Sequence, residues 1–265
     1  MSTAIRVGIG GWNFEPWRET FYPKDLPASR ELEYASRRLT AIEVNGTYYS
    51  TMKPATFAKW RDTAPEGFVF SLKANRFATN RRVLAEAGES VQRFIDSGVA
   101  ELGDKLGPIV WQLAPTKRFD PADIDAFLQL LPAKVDGVPL RHALDVRHES
   151  FRTDDFLALA RRHRVGVVFT ESEDYPPIPD ITADFVYARV MRTRADLPTG
   201  VDDTVLDQLA ACARRWQTGG QPDGLPLVGP ERTPEAAPRD VFLYFISGAK
   251  ERAPAAAMAL IDRLR

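Results

Sequence analysis

Short apolar runs rich in β-branched and aromatic residues recur along the chain and alternate with segments of helical spacing. The runs cover residues 5–10, 40–45, 67–73, 107–113, 140–147, 165–170, 184–190 and 241–247. Apolar stripes at helical spacing lie within residues 57–64, 91–102, 124–131 and 205–216. This alternation predicts parallel strands that are covered by helices.

The number of strand-helix units distinguishes between the parallel folds. Eight units in a chain of 265 residues match a closed (β/α)8 barrel of the TIM type, which typically needs about 250 residues. The glycine-rich residues 8–12 continue into aromatic residues instead of a helix, so they do not fit a dinucleotide-binding turn. We therefore predict an α/β fold in which residues 1–265 form one TIM-barrel domain, and we expect no cofactor.

Two segments depart from the regular pattern. The sixth unit contains Pro176, Pro177 and Pro179 in the short connection to the next strand, so a full helix will not fit there. Residues 217–240 contain nine glycines or prolines and predict a long loop. Because this loop leads from a helix into the last strand, we expect it at the N-terminal face of the barrel.

Strand parity predicts a group of polar side chains inside the barrel, because alternate residues of a strand share a face. The inward positions are Glu43 and Asn45 in the second run, Ser71 and Lys73 in the third, Asp145 and Arg147 in the fifth, and Tyr187 and Arg189 in the seventh. Buried charges are costly unless they are paired or reach water. The pattern therefore predicts a solvated pocket or a paired network at the C-terminal strand ends.

The charged residues of this group have two interpretations each. Glu43 and Asp145 are candidates for an acid/base pair, or they form salt bridges, Glu43 with Lys73 and Asp145 with an arginine. Lys73, Arg147 and Arg189 are suited to hold a phosphate or carboxylate, or they only balance the interior acids. Both alternatives remain open from the sequence.

Histidine placement bears on proton transfer and on metal binding. His148 is the one histidine at the C-terminal end of a strand, so it is a catalytic candidate, with a loop hydrogen bond as the alternative. His142 and His163 are expected to be structural. Barrel metalloenzymes draw several histidine and carboxylate ligands from different strand ends, so we expect no metal site.

Aromatic residues follow the first two strands. Trp12 follows two glycines that leave room for a ligand, so Trp12 and Tyr48 are candidate binding residues. Trp17 and Phe21 are expected instead to pack on the barrel itself.

Composition and charge limit the class of partner. The formal net charge is -1 and the isoelectric point is near 6.4, so whole-protein charge does not attract nucleic acid or anionic lipid. The single cysteine, Cys212, excludes an internal disulfide framework. Since no signal peptide or membrane-spanning run is evident, we expect a cytoplasmic protein with a small anionic or polar ligand and no membrane partner.

Several motifs together resemble the YecE-like family, also called domain of unknown function 72. They are Gly10-Gly11-Trp12 with Trp17 and Phe21-Tyr22-Pro23, Glu43-Val44-Asn45 with Thr47-Tyr48-Tyr49, Trp60, Phe70-Ser71-Leu72-Lys73, Leu106-Gly107-Pro108 with Gln112-Leu113, Arg147-His148 with Ser150, and Tyr244-Phe245. The resemblance covers nearly the whole length and implies a (β/α)8 barrel without an established activity. Gln112 joins the candidate binding residues from these motifs.

The chain also differs from the family pattern near the predicted strand ends. The differences are Asp145-Val146 for Glu-Phe, Phe151 for Trp, Val190-Met191-Arg192 for Leu-His-Gly, and Ile246-Ser247 where Asn is common. They suggest a subgroup with an altered pocket.

Three functional hypotheses follow from these observations. The first is a metal-independent hydrolase, isomerase or lyase that acts on a small anionic or sugar-like metabolite. The second is a ligand-binding or regulatory barrel without turnover. The third, a nucleic-acid-processing protein, is motivated by loop arginines and disfavoured by the nearly neutral net charge. Those arginines are Arg76, Arg81, Arg82, Arg192 and Arg194.

Overall fold

A closed barrel of eight parallel strands forms the centre of the computed structural model, which describes residues 3–18, 20–229 and 237–265. The strands in chain order are β1 (Ile5–Gly10), β2 (Ala41–Val44), β3 (Val69–Lys73), β4 (Leu106–Gln112), β5 (Lys134–Val135), β6 (Val138–Pro139), β7 (His142–Asp145), β8 (Gly166–Glu171), β9 (Phe185–Val190) and β10 (Asp240–Phe245). Strands β5 and β6 form a separate antiparallel hairpin, and β10 pairs with β1 to close the barrel. The predicted TIM-type fold and its eight strands are confirmed.

Helices cover the outer surface of the barrel. They are α1 (Glu31–Ser36), α2 (Gly46–Tyr49), α3 (Pro54–Thr63), α4 (Arg76–Thr79), α5 (Gly88–Ile95), α6 (Pro121–Gln129), α7 (Asp154–Arg162), α8 (Asp203–Gln217) and α9 (Ala253–Leu264). Helix α6 begins where an aspartate precedes a proline, and the Asp120 side chain accepts hydrogen bonds from the backbone N–H groups of Ala122 and Asp123 at 3.0 and 3.2 Å. Within the described ranges, every helix is too short or too polar to cross a lipid bilayer.

Two hydrophobic clusters separate the inside of the barrel from the helix layer. The inner cluster takes alternate residues from seven strands: Ala41, Val69, Val110, Ala143, Val168, Phe185, Tyr187, Phe242 and Tyr244. The intervening residues, such as Ile42, Leu72 and Leu144, belong to the outer cluster beneath the helices. The inward and outward faces that parity predicted are therefore confirmed. Toward the C-terminal ends of the same strands, the inward-facing side chains are polar.

The connection between β8 and β9 contains no helix, as its prolines predicted, and all of its residues are described. Residues 221–229 cover part of this flank. The backbone N–H groups of Val228 and Gly229 donate to the Asp180 carboxylate at 2.9 and 3.0 Å. The Thr182 hydroxyl donates to the Val165 carbonyl at 2.7 Å and fixes the connection to the barrel.

The long loop before β10 extends further than predicted. Gly229 lies against Asp154 and Leu157 of α7, and Arg152 donates to the Pro226 carbonyl at 3.5 Å. Since α7 begins at the C-terminal face, the described part of the loop runs up the side of the barrel, and its prediction at the N-terminal face alone is wrong. The missing sixth helix leaves the space that the loop occupies. Residues 230–236 lie outside the described residues.

Gly8 is the one inner position of β1 where a side chain has no room, because a Cβ there would lie 2.0 Å from the Ala41 carbonyl oxygen. We predict that Gly8→Ala lowers the free energy of unfolding by about 3 kcal/mol, the upper part of the range for overpacked cores. Chemical denaturation measures the change. Gly88→Ala is the matched control, because its Cβ would meet only Leu130 at 3.6 Å. Equal stability of the two variants would contradict the prediction.

Candidate functional site

A cavity of about 410 Å³ opens at the C-terminal ends of the barrel strands. It is lined by Gly10, Glu43, Asn45, Tyr49, Lys73, Gln112, Arg147, Tyr175, Arg189, Met191, Phe245, Ile246, Ser247 and Lys250. The polar side chains that parity directed inward from separate strands therefore meet in one place. The volume lies within the roughly 300–1,000 Å³ range of small-molecule sites.

Arg189, near the end of β9, is the centre of the polar network. Its Nε and Nη2 atoms donate to the two carboxylate oxygens of Glu43 at 2.9 and 2.8 Å. Its Nη1 atom donates to Asp145 Oδ2. All three side chains are buried. Arg189 therefore links β2 to β7 through β9, and the predicted Glu43–Lys73 salt bridge is wrong because Glu43 pairs with Arg189.

Arg147 forms a second link to Asp145 and extends the network to the cavity wall. Its Nε and Nη2 atoms donate to Asp145 Oδ2 at 3.2 and 3.1 Å, and Nη2 also donates to Gln112 Oε1 at 2.9 Å. Its guanidinium lies 4.3 Å from the centre of the Tyr175 ring. The predicted pairing of Asp145 with an arginine is confirmed, with Arg147 and Arg189 both involved.

Electrostatics keep Arg189 charged although it is buried. Burial alone would lower its pKa, but the charges of Glu43 and Asp145 outweigh burial and raise the pKa above its ordinary value. The Tyr187 hydroxyl donates to Glu43 Oε2 at 2.7 Å, and burial together with the Glu43 charge raises its pKa well above the usual range. Tyr187 is therefore a neutral hydrogen-bond donor at physiological pH.

The two carboxylates differ in how they face the cavity. Both oxygens of Glu43 accept hydrogen bonds from Arg189, and one also accepts from Tyr187. Asp145 lies behind the lining, and its Oδ1 atom is buried without a hydrogen-bond partner among the described residues. Glu43 therefore faces the cavity with both oxygens hydrogen-bonded, whereas the oxygen of Asp145 that lacks a hydrogen bond is buried behind the lining.

Lys73, at the end of β3, lines the cavity but does not take part in the network of arginines and carboxylates. Its Nζ atom lies 4.3 Å from the centre of the Tyr48 ring and forms no hydrogen bond or ion pair with the part of the chain that the structure describes. Burial lowers its pKa to about 8, and the nearby Arg189 charge acts in the same direction. A substantial fraction of Lys73 is therefore a neutral amine just above neutral pH.

Four of the predicted site residues lie outside the cavity lining, and one of them, Asp145, lies directly behind it. The Nδ1 atom of His148 accepts from the Ser150 backbone N–H at 3.1 Å and caps the short 3₁₀ turn Glu149–Phe151. Trp12 packs edge-on against Trp60 with ring centres 5.3 Å apart. Tyr48 contacts the site through its ring, which lies against the Lys73 ammonium and packs edge-on against the Tyr49 ring. The cavity therefore contains Glu43, Asn45, Lys73, Gln112, Arg147 and Arg189 from the predicted set.

The remaining histidines are structural in their contacts, as expected. His142 Nδ1 accepts from Trp111 Nε1 at 3.0 Å, and burial lowers the His142 pKa to about 4. His163 pairs with Asp125 at 2.6 Å. Within residues 3–18, 20–229 and 237–265, the side chains of histidine, cysteine, aspartate and glutamate form no group of three suited to a metal ion.

The family model described as "Protein of unknown function DUF72" matches residues 6–265. The chain belongs to the DUF72 family.

Relatives within and near this family are distant in sequence. The UPF0759 protein YunF of Bacillus subtilis (strain 168) is 22% identical over 157 residues, which are 57% of this chain and 54% of YunF. The alignment therefore spans about half the length of that curated relative. A DUF72 family protein from Thermotoga maritima has a TM-score of 0.71 at 19% identity, covering 98% of both chains. One from Enterococcus faecalis has a TM-score of 0.70 at 16% identity, covering 98% of this chain and 95% of its own. These structural likenesses show the fold.

Several cavity residues of this DUF72 protein were not predicted from its sequence. Tyr175 comes from the irregular sixth connection, and Lys250 comes from a 3₁₀ turn after β10. Met191, Ile246 and Ser247 were noted only as departures from the family pattern, and all three line the cavity. Their position beyond the C-terminal ends of barrel strands was the available signal.

Removal of the Arg189 guanidinium would leave two buried carboxylates without their main partner. We predict that Arg189→Met lowers the free energy of unfolding by about 3–5 kcal/mol, the cost of breaking a buried ion pair. Chemical denaturation monitored by circular dichroism measures the loss.

Arg192→Met is the matched control, because it removes an arginine two residues beyond the barrel position. The Arg192 side chain is 54% exposed and pairs with Glu171, whereas that of Arg189 is 2% exposed. An exposed pair contributes about 0–1 kcal/mol. If both variants lose the same stability, the buried network does not have the structural role described.

Proposed function

We propose that this DUF72 protein is an enzyme that binds a small anionic or sugar-like metabolite in the cavity and transforms it by isomerisation, lyase or hydrolytic chemistry. The chemistry would use the side chains of the chain itself, without a metal. The observation that supports the proposal is the distribution of free donors and occupied acceptors around the cavity.

The free polar groups at the cavity wall are predominantly donors. Four donor groups form no hydrogen bond to the described residues: Lys73 Nζ, Arg147 Nη1, Gln112 Nε2 and the Asn45 amide N–H groups. In contrast, both Glu43 oxygens and Gln112 Oε1 already accept from arginine. Donors without acceptors favour a ligand that supplies oxygen acceptors, such as a carboxylate or phosphate.

Charge supports the same ligand class. Four cations line the cavity: Lys73, Arg147, Arg189 and Lys250. Among the described residues, Glu43 is the only carboxylate in the lining, and Asp145 lies behind it. The excess of cations is local, since the whole chain has a formal net charge of -1. A local positive potential in a partly enclosed site favours capture of a small anion over binding to a broad anionic surface.

Proton transfer is better assigned to Lys73 than to the two carboxylates. Glu43 and Asp145 hold Arg189 and Arg147 in place, both oxygens of Glu43 accept hydrogen bonds from Arg189, and Asp145 lies behind the cavity lining. Lys73 has no ion-pair partner in the described residues, and its pKa of about 8 suits a base near neutral pH. We therefore propose Glu43 and Asp145 as positioning residues and Lys73 as the reactive amine of the cavity.

The loop arginines give little support to nucleic-acid binding. Arg192 pairs with Glu171 and Glu173, and Arg194 pairs with Asp196. Their charges are thus partly neutralised by neighbouring acids. A nucleic-acid function would be supported instead by DNA or RNA binding with a steep salt dependence.

Anion binding can be tested without a known substrate. We predict that inorganic phosphate, lactate or a sugar phosphate raises the melting temperature of the protein, because a ligand that binds only the folded state stabilises it by mass action. Arg147→Gln should weaken this effect by about tenfold in ligand concentration, the loss of one charge-assisted contact.

Arg162→Gln is the matched control for the ligand effect. Arg162 lies at the end of α7, is largely exposed and pairs with Asp125. If no member of the anion panel shifts the melting temperature, the proposed function is wrong. If anions bind but no member of a broad metabolite panel is turned over, the barrel binds ligand without catalysis.

A further inference from the structure

Lys73 and Lys250 are the two cations of the cavity lining that form no ion pair with the described residues, and Lys73 is the one that lies beside the arginine–carboxylate network. Arg147 and Arg189 each donate to carboxylates, but the acceptors near Lys73 are already occupied by those arginines. The Lys73 ammonium has the Tyr48 ring as its side-chain contact and no anionic partner in the described residues. A lysine that served only to balance Glu43 would form an ion pair with it.

The charges around Lys73 disfavour its protonated form on balance. Arg189 from β9 and Arg147 from the segment after β7 repel a cation, whereas Glu43 from β2 and Asp145 from β7 attract it. Asp145 pairs with both guanidinium groups and Glu43 pairs with that of Arg189, so the attraction of the carboxylates for Lys73 is largely offset. A desolvated lysine beside another cation is the arrangement that produces a nucleophilic amine.

We propose that Lys73 forms a Schiff base with the carbonyl carbon of an anionic aldehyde or ketone that is bound in this cavity. The inference rests on the proposed function, because the free donors of Arg147, Asn45 and Gln112 hold the carboxylate or phosphate of that same molecule. The substrate class is thereby narrowed to small oxo-acids or phosphorylated aldehydes and ketones.

The step balances without an oxidant or a metal. The lone pair of neutral Lys73 Nζ attacks the carbonyl carbon, and a proton moves from nitrogen to the former carbonyl oxygen to give a carbinolamine. One further proton from solvent at the open cavity allows water to leave, which forms the C=N bond of a protonated imine. The imine withdraws electrons from the adjacent carbon, so that a C–H or C–C bond at that carbon breaks more easily. Isomerase or lyase chemistry follows from this, rather than hydrolysis.

Reductive trapping tests the proposal on the full-length protein. Pyruvate and pyridoxal 5′-phosphate serve as separate probes with sodium cyanoborohydride, which reduces the imine to a stable secondary amine. Intact mass and peptide mapping identify the modified lysine. We expect one adduct at Lys73, formed roughly tenfold or more faster at pH 7.5 than at an exposed lysine, whose pKa is about 10.4.

The pH profile separates a buried amine from a surface lysine. Below its pKa of about 8, Lys73 is protonated and does not attack, so its labelling rate should rise with pH and level off above about 8. Labelling of the exposed Lys53 should continue to rise toward the ordinary lysine pKa of about 10.4. A Lys73 rate that follows the Lys53 profile would overturn the inference.

Lys73→Arg and Lys53→Arg are the matched pair of variants. Lys73→Arg keeps a cation in the cavity but removes the nucleophilic amine, so the main adduct should be lost, whereas Lys53→Arg should retain it. The melting temperature of each variant without ligand reports whether it folds. If Lys73→Arg does not fold, peptide mapping of the wild-type adduct still decides the site. An unlabelled Lys73 peptide beside a labelled Lys53 peptide would overturn the inference.

Anion competition distinguishes failure of this inference from failure of the proposed function. Inorganic phosphate and lactate lack a reactive carbonyl, so they should slow labelling of Lys73 by occupying the anion site. If they stabilise the protein but pyruvate and pyridoxal 5′-phosphate give no adduct, the Schiff base is wrong and the anion site remains. If Lys73 is labelled and neither anion slows the reaction, the proposed anion site is wrong, whereas the reactivity of the Lys73 amine stands.

Discussion

The buried contact of one guanidinium with two carboxylates connects strands at the C-terminal end of this barrel, and the arrangement of the cavity depends on it. Arg189 reaches from β9 to Glu43 on β2 and to Asp145 on β7, strands that are not its neighbours in the sheet. Each of these charges would be strongly unfavourable in the interior if it were alone. Their combination is acceptable because every guanidinium nitrogen of Arg189 donates to an acceptor and Arg147 also donates to Asp145. The strand ends are thereby held at fixed distances by electrostatics instead of by apolar packing.

This arrangement determines what the cavity can offer a ligand. The carboxylates are occupied by the arginines, so the lining has few free acceptors and several free donors. A cavity built in this way selects by charge and by hydrogen-bond polarity before it selects by shape. Lys73 belongs to the same lining but not to the network, and this separation leaves its amine available for chemistry.

Periodicity in the sequence was sufficient to predict the fold and the inward face of each strand. The alternation at Ile42, Glu43 and Val44 placed Glu43 inside the barrel, and the structure confirms that position. Periodicity could not predict which inward residues meet across the barrel, because parity gives a face and not a partner. Glu43 therefore pairs with the longer Arg189 side chain from a distant strand, and not with Lys73 from the adjacent one. Tyr175 and Lys250 were missed because they lie in irregular connections, where alternation has no meaning.

The flank without a helix has a consequence for how this family member could change over evolution. In a regular barrel, each wall of the pocket is continuous with a helix whose displacement disturbs the packing of its neighbours. Here Tyr175 lies in the proline-containing connection between β8 and β9, which residues 221–229 partly cover. The ion network, in contrast, is anchored in the strands. Insertions and substitutions in this wall can therefore change the shape of the cavity at little risk to folding. The barrel thus combines an ion network that is anchored in its strands with a cavity wall that is formed by loops.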